Sequence, residues 1–447
     1  MHPSTISDDA LIHVETPNHD RESSSPTRFH EPCQLATVPL LLQPSYARSK
    51  SLISDDLRHF RISLRWCALD QSSCFGMFIS IFTFILFTFV IPIVSSLAVK
   101  VPSTAPVENP ISFNLLVQFP ESGLAAIGFF TLCRFFNKYG LRQLLFLDVL
   151  EYDSAPVRRN YARELDKSFR YMSYILLPSF LVELAHKVVF FSTVSMSFSL
   201  PFPFPSNAVL FVLVLASWIY RTGIFLLVCV LFRLTCELQI LRLGGLHGML
   251  EGCGSDPSAI FDEHVRIRKQ LSATSHRYRF FIISCLLTMT VSQFAALLIV
   301  LASKTEKNFF NSGDLVVCSV VELSGLFLCL LGAARITHRA QGIASLATRW
   351  NMLVTSASAS GSNRPKPETV EHNGWHSDTD SDLLIPVSTF SDSSSFQIRQ
   401  ALVAYLERNN GGITLYGFPL DRGLLHTIFA FEFSLVLWIL SKVVVLS

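Results

Sequence analysis

Charge is scarce in this sequence. Only 16% of its 447 residues are Asp, Glu, Lys or Arg, against roughly 25% in an average soluble domain. Half are hydrophobic, and they gather in runs of 20 or more, which excludes a soluble globular protein. The charges nearly cancel, at a net +2, so there is no basic footprint for nucleic acid. A short apolar opening segment is also missing. The first 70 residues are polar, and no cleaved signal peptide is expected. Catalytic patterns are absent too. There is no Gly-rich phosphate loop and no nucleophile elbow, and His264 and His276 have no partnered acids. No catalytic residue, cofactor or enzymatic activity is therefore expected.

What the sequence does have is membrane-length helices. A hydrocarbon core about 30 Å thick needs roughly 20 apolar residues at 1.5 Å each. Seven runs meet that need: Cys74–Val99, Ile111–Phe136, Tyr171–Phe191, Ala208–Phe232, Phe280–Ala302, Asp314–Ala334 and Leu424–Leu446. The second is interrupted by Pro120 and Glu121, and the third carries Glu183, His186 and Lys187.

Lys and Arg in the connections orient the bundle. One side holds 30 of them: seven before the first run, eight over Arg134–Arg170, seven over Arg233–Arg279 and eight over Arg335–Arg422. The other side holds Lys100, Lys304, Lys307 and Lys442. This predicts an all-α, polytopic membrane protein with the N-terminus inside, seven crossings and the C-terminus outside. G-protein-coupled receptors also have seven helices but the opposite orientation. The outer connections are short, about 11, 16 and 11 residues, too short for a ligand-binding domain. An external ligand would have to enter the outer half of the bundle. None of the ten Cys lies in an outer connection, so no disulfide framework is expected. None has zinc-ligand spacing with His, so no metal site is expected, and the thiols read as small packing residues.

The inner side divides further. Residues 1–50 lack periodicity and read as a disordered tail. Residues 51–354 carry the first six spans and their cytoplasmic extensions. Residues 355–395 read as a disordered, acidic, Ser-rich loop. Its Ser377–Asp382 stretch either invites acid-directed phosphorylation or is a solvated linker. Residues 396–447 hold one inner helix and the last span. Apolar residues at helical spacing mark Arg335–Ala357 (Ile336, Ile343, Leu346, Trp350, Leu353) and Phe396–Arg408 (Ile398, Leu402, Tyr405). Arg233–Leu246 extends the fourth span as far as Gly244 and Gly245. Asp262–Arg279 is a basic amphipathic helix leading into the fifth. These stripes predict a packed cytoplasmic helical anchor layer, the alternative being helices lying singly on the lipid surface.

Several segments carry a resemblance. They are Arg134–Arg142 (RFFNKYGLR), Ser217–Thr222 (SWIYRT), Val230–Leu243 (VLFRLTCELQILRL), Ser275–Arg279 (SHRYR) and Gly412–Arg422 (GITLYGFPLDR). They resemble a plant membrane-protein family, formerly a domain of unknown function and now called gustatory-receptor-like, over roughly residues 50–447. That family is distantly similar to the insect gustatory and odorant receptors. The resemblance implies a homotetrameric, ligand-gated cation channel with an inside N-terminus, an inner anchor layer and a last helix lining the pore. The insect last-helix pattern runs Gly-Phe-x-x-Asp-x-x-Leu-Leu, then Thr-Tyr, five apolar residues and Gln-Phe. Gly417-Phe418, Asp421 and Leu424-Leu425 fit its first half. Ser434, Leu435, Ser441 and Lys442 replace the Thr, Tyr, Gln and Phe of its second half.

Ionisable residues inside spans need an account, because each costs several kcal/mol unless paired or solvated. Arg221, near the middle of the fourth span, should pair with Glu183, Glu322 or Glu432; otherwise it is a gating or ligand contact. Glu432 either faces a neighbouring helix or forms an acidic ring at a pore axis. Glu121 is expected near the outer end of its span, where water reaches it. His186 and Lys187 could snorkel to the interface. In the last span, Thr427, Phe431, Ser434, Trp438, Ser441 and Val445 share one face. Phe431, Ser434, Trp438, Ser441 and Val445 are the candidate pore lining: Ser for passage, Trp or Phe for a dewetting gate. The rival is a stripe that merely packs against spans five and six of the same subunit. The leading reading is a homo-oligomeric channel subunit that takes an unidentified small-molecule ligand, passes an ion and sits in the plasma membrane or an endomembrane. A small-solute transporter and a non-conducting signalling or scaffold protein are the alternatives.

Overall fold

The computed structural model describes residues 74–98, 110–144, 150, 153–193, 206–252, 256–302, 309–362, 391–409 and 411–445. The predicted N-terminal tail and most of the predicted Ser-rich loop lie outside these residues. The elements, in order, begin with α1 (Cys74–Ile85), a π-helical turn (Leu86–Val90) and α2 (Ile91–Ala98). They continue with α3 (Pro110–Leu144), α4 (Ala155–Thr193), α5 (Ser206–Glu251), α6 (Pro257–Ala302), α7 (Phe309–Ser362) and α8 (Ser391–Arg408). A small hairpin, β1 (Thr414–Leu415) with β2 (Phe418–Pro419), leads to α9 (Arg422–Val445).

Six helices among the described residues are long and apolar enough to cross a membrane: Phe75–Leu97, Ala155–Ser192, Ala208–Glu251, Pro257–Leu298, Val317–Ser356 and Arg422–Ser441. The predicted second run is a helix as well, α3, though it is not one of those six. Several helices far exceed a span. The 46 residues of α5 measure about 69 Å at 1.5 Å per residue, so the charged segment expected to extend the fourth span continues the apolar helix, and α6 and α7 are continuous in the same way. Gly244 and Gly245 do not end α5. Each costs about 1 kcal/mol of helix propensity, but Leu243, Leu246 and Leu250 beside them are buried and hold the turn in place. The helix α7 likewise runs past the predicted loop boundary to Ser362, and α8 starts at Ser391 rather than in the region of Phe396.

The central helix is α5. Every residue from Arg221 to Ile240 is buried, and α5 touches α2, α3, α4, α6, α7 and the π turn. The helix α7 lies so close to it that a Cβ on Gly325 would sit 2.6 Å from the Phe225 ring. At the start of α6, Asp256 is the N-cap and Pro257 follows it. Ser258 donates side-chain and backbone hydrogen bonds to Asp256, holding its carboxyl below the usual range.

The charge-rich ends of α6 and α7 pack with α8. Trp350 is buried, and Tyr405 lies edge-on to Phe261 and His264. Asp153, before α4, accepts from Arg242 Nε at 2.8 Å and Nη2 at 2.6 Å, and from Arg266 Nη2 at 2.7 Å. One buried carboxylate thereby joins α4, α5 and α6. The hairpin turns at Tyr416 (φ 49°) and Gly417 (φ 95°), two left-handed residues, as a two-residue primed turn requires. Asp421 then caps α9, its Oδ1 accepting from Leu424 N at 2.7 Å.

Candidate functional site

Two features stand out in the apolar part of the bundle: a buried charge cluster where α3, α5 and α7 meet, and the face α9 leaves uncovered.

The cluster begins with a break in the first helix. Pro92 has no N–H to give to the carbonyl of Thr88, four residues earlier. Ser122 Oγ on α3 donates to that carbonyl instead, at 3.0 Å, and Ser217 Oγ on α5 donates to Phe87 O at 2.5 Å. The π turn lies at this point, where inserted side chains commonly distort a helix. Ser122 also accepts from Arg221 Nη1 at 3.3 Å, and Gln118 O accepts from the same nitrogen at 3.4 Å.

Arg221 forms its ion pair with Glu121, Nη2 to Oε2 at 3.0 Å. This corrects the expected pairing with Glu183, Glu322 or Glu432. Glu121 is not in water near a helix end but only 8% exposed, its other oxygen accepting from the Cys318 thiol. Glu183 instead meets Lys187 one turn along α4, at 3.3 Å, so this lysine stays along its own helix rather than snorkelling. Glu322 lines a cavity of about 20 Å³ together with Glu121, Arg221, Trp218, Thr222 and Cys318, room for about one water. Its Oε1 is buried and has no hydrogen-bond partner among the described residues. Two carboxylates and one guanidinium thus line one small cavity. Among the described residues no group of His, Cys, Asp and Glu could hold a metal ion.

Glu432 belongs to a different contact. It is buried and accepts from Thr290 Oγ1 of α6. The Gln293 amide, with its nitrogen turned toward Glu432, donates to Oε2 at 3.1 Å and to the Glu432 carbonyl at 3.2 Å. On α9, Glu432, Leu435, Val436 and Ile439 are buried, whereas Phe431, Ser434, Trp438 and Ser441 are exposed, as is Leu437. The Val445 side chain lies outside the described residues. Ser434 Oγ donates back to Phe431 O at 2.7 Å. The sequence reading missed Glu121, Ser122 and Cys318 as partners of the cluster. The mid-run charge at Glu121 was the signal available for the first; nothing local marks the other two.

Long apolar helices that bury ion pairs in their midst define a polytopic integral membrane protein. The chain belongs to the family described as "Protein of unknown function (DUF3537)", whose model matches residues 55–431. No curated protein matches its sequence. Its fold is similar to that of the insect olfactory receptor OR5 from Machilis hrabei. The TM-score is 0.51 at 12% identity, covering 86% of this chain and 99% of that one. The same receptor in complex with eugenol is similar at a TM-score of 0.49 and 10% identity, with the same coverage.

Proposed function

We propose that this chain is a subunit of a homo-oligomeric, ligand-gated ion channel of the plant gustatory-receptor-like kind, tetrameric by its resemblance, with α9 lining the pore. In this reading α3 also crosses the membrane, as the second of seven spans, the N-terminus is cytoplasmic and Ser447 is outside. The packed charged ends of α5–α8 form the cytoplasmic anchor layer. The plasma membrane is the favoured location, with an endomembrane as the alternative.

The observation that carries the reading is the exposed stripe on α9. Phe431, Ser434, Trp438 and Ser441 turn away from the chain's own bundle, which leaves them available to a central axis shared by several copies. The 30-to-4 charge split supports the orientation. In this reading the ligand is a small molecule, as the family resemblance implies. The 20 Å³ cavity is far too small for such a molecule, so ligand entry would have to separate α3, α5 and α7.

The test is conductance of the purified chain in a planar bilayer, with Cys substituted at Ser434, Trp438 and Ser441. Water-soluble thiol reagents should modify these positions and change the current. Reaction at Leu437 and Leu440 but not at those three would show that the pore face is misassigned. A transporter is the second reading. It is favoured by the two Pro-interrupted segments, at Pro92 and Pro120, that meet beside buried charges. It predicts solute uptake without channel current.

A further inference from the structure

The strongest unassigned feature lies where α3 and α6 pass from apolar to basic. On α3, Phe130, Arg134 and Lys138 succeed one another at four-residue spacing and all three are exposed, so they share one stripe. On α6 an exposed apolar stripe of Phe280, Leu287, Val291 and Phe294 begins directly after Arg277 and Arg279. Both helices therefore change character together, and α3 packs against α6. An exposed Phe side chain suits hydrocarbon. A cation one turn beyond it suits the headgroup layer.

The two basic ends converge on one aromatic ring. Lys138 Nζ sits 5.3 Å from the Tyr139 centroid, and the Arg277 guanidinium carbon sits 4.1 Å from it. Arg134 is one turn away on the Lys138 face. Neither the 130–144 stretch nor the 264–288 stretch contains an Asp or Glu. Arg134 and Lys138 make no ion pair among the described residues. The local potential is visible at the ring itself. Burial would raise the Tyr139 hydroxyl pKa, yet hydrogen bonding to Lys138 and Arg277 and their charges bring it below its ordinary value. A site that favours a phenolate favours other anions, and a phenol of lowered pKa is a stronger hydrogen-bond donor.

We propose that Lys138, Tyr139 and Arg277, with Arg134 beside them, bind the phosphate of an anionic phospholipid headgroup at the junction of α3 and α6. Charge complementarity selects this occupant: cations without local acids, at the level where exposed apolar surface ends. Placing that lipid in the inner leaflet rests on the cytoplasmic orientation of the proposed function. The binding chemistry does not.

The experiment uses the full chain in a neutral detergent, titrated with short-chain phosphatidic acid and, separately, short-chain phosphatidylcholine. Phosphatidic acid should bind and phosphatidylcholine should not. Lys138→Gln, an exposed position that the fold tolerates, should weaken binding about fivefold, the effect of losing one cation near a lipid surface. Arg134→Gln with Lys138→Gln should weaken it about 25-fold, and Lys138→Arg should retain it. Equal binding by the double variant, or phosphatidylcholine bound as tightly as phosphatidic acid, would overturn the site. Inorganic phosphate bound as tightly as phosphatidic acid would overturn the lipid as its occupant in favour of a free anion. Sidedness is read separately, by labelling Asn137→Cys in sealed cells. Labelling from outside would overturn the orientation and leave the detergent result standing.

Discussion

Replacing Arg221 with Leu should destabilise the protein by about 3–5 kcal/mol, the usual cost of removing one partner from a buried ion pair. The side chains of Arg221 and Glu121 are only 4% and 7% exposed, so solvent screening gives little relief. In Arg221→Leu, Glu121 keeps only the Cys318 thiol and shares its cavity with a second carboxylate, Glu322. Ser122 Oγ and Gln118 O lose their donor as well. Arg221→Lys should fall between, because one ammonium on a flexible stem cannot reproduce the guanidinium fork that reaches Glu121, Ser122 and Gln118 together. The double variant Arg221→Leu/Glu121→Leu should recover most of the loss, since an apolar pair in place of a buried ion pair is often neutral or better. The assay is a double-mutant cycle on thermal unfolding of the detergent-solubilised chain, followed by the monodisperse fraction that survives heating. A coupling of about 2 kcal/mol or more is expected for contacting residues. Independent, additive losses would refute the pairing. So would rescue of Arg221→Leu by Glu183→Leu in place of Glu121→Leu.

Asp153→Ala should cost about 3–5 kcal/mol in the same assay, because it strands the buried Arg242. The half-exposed Arg266 keeps Glu263 at 2.7 Å and should tolerate substitution far better. Gly325→Leu should cost at least about 1–3 kcal/mol, since even a Cβ there meets Phe225 at 2.6 Å, and Phe225→Ala should partly relieve it. Glu432→Gln should leave cation selectivity of any conductance unchanged, because its carboxylate is turned toward Thr290 and Gln293. An acidic ring at the axis would instead lose selectivity on neutralisation.

The residue pattern reveals spans because hydrophobic run length is a local property. Six of the seven runs coincide with helices long and apolar enough to cross a membrane. Partner choice is not local. Arg221 and Glu121 lie on separate helices, and nothing near either residue distinguishes Glu121 from Glu322 as a partner. Glu121 was misjudged because Pro-Glu looks like a helix end, whereas here α3 continues through both residues and buries the acid. The link from Pro92 to Ser122 was equally invisible, since it requires knowing which hydroxyl lies over the carbonyl that a proline leaves without a donor. Gly244 and Gly245 misled in the other direction: as neighbours they suggest a stop, but packing of the leucines around them outweighs propensity.

The burial pattern of α9 narrows what its mixed face can be. One rival to a pore lining was that Phe431, Ser434, Trp438 and Ser441 pack against spans five and six of the same subunit. Those spans are α6 and α7, and the arc of α9 buried within the bundle is instead Glu432, Leu435, Val436 and Ile439. The stripe lies outside that arc. Exposure alone does not make it wet, because Phe431 and Trp438 are 46% and 47% exposed while the purely apolar Leu437 is 48% exposed. Nor do the hydroxyls require water on their own account: Ser434 already donates to Phe431 O within its own helix, as serines do when they face lipid. The polarity that matters is therefore the difference between two neighbouring arcs. Phe433, Leu437 and Leu440 offer only hydrocarbon surface, whereas Ser434 and Ser441 offer lone pairs on either side of the Trp438 ring. A pore can use the second arc, with Trp438 narrow enough to dewet between two hydroxyl levels, while the first suits lipid or an apolar neighbour. Comparing thiol reactivity at position 437 with that at 434 and 441 thus asks which arc meets water, the property that separates a conducting face from a packed one.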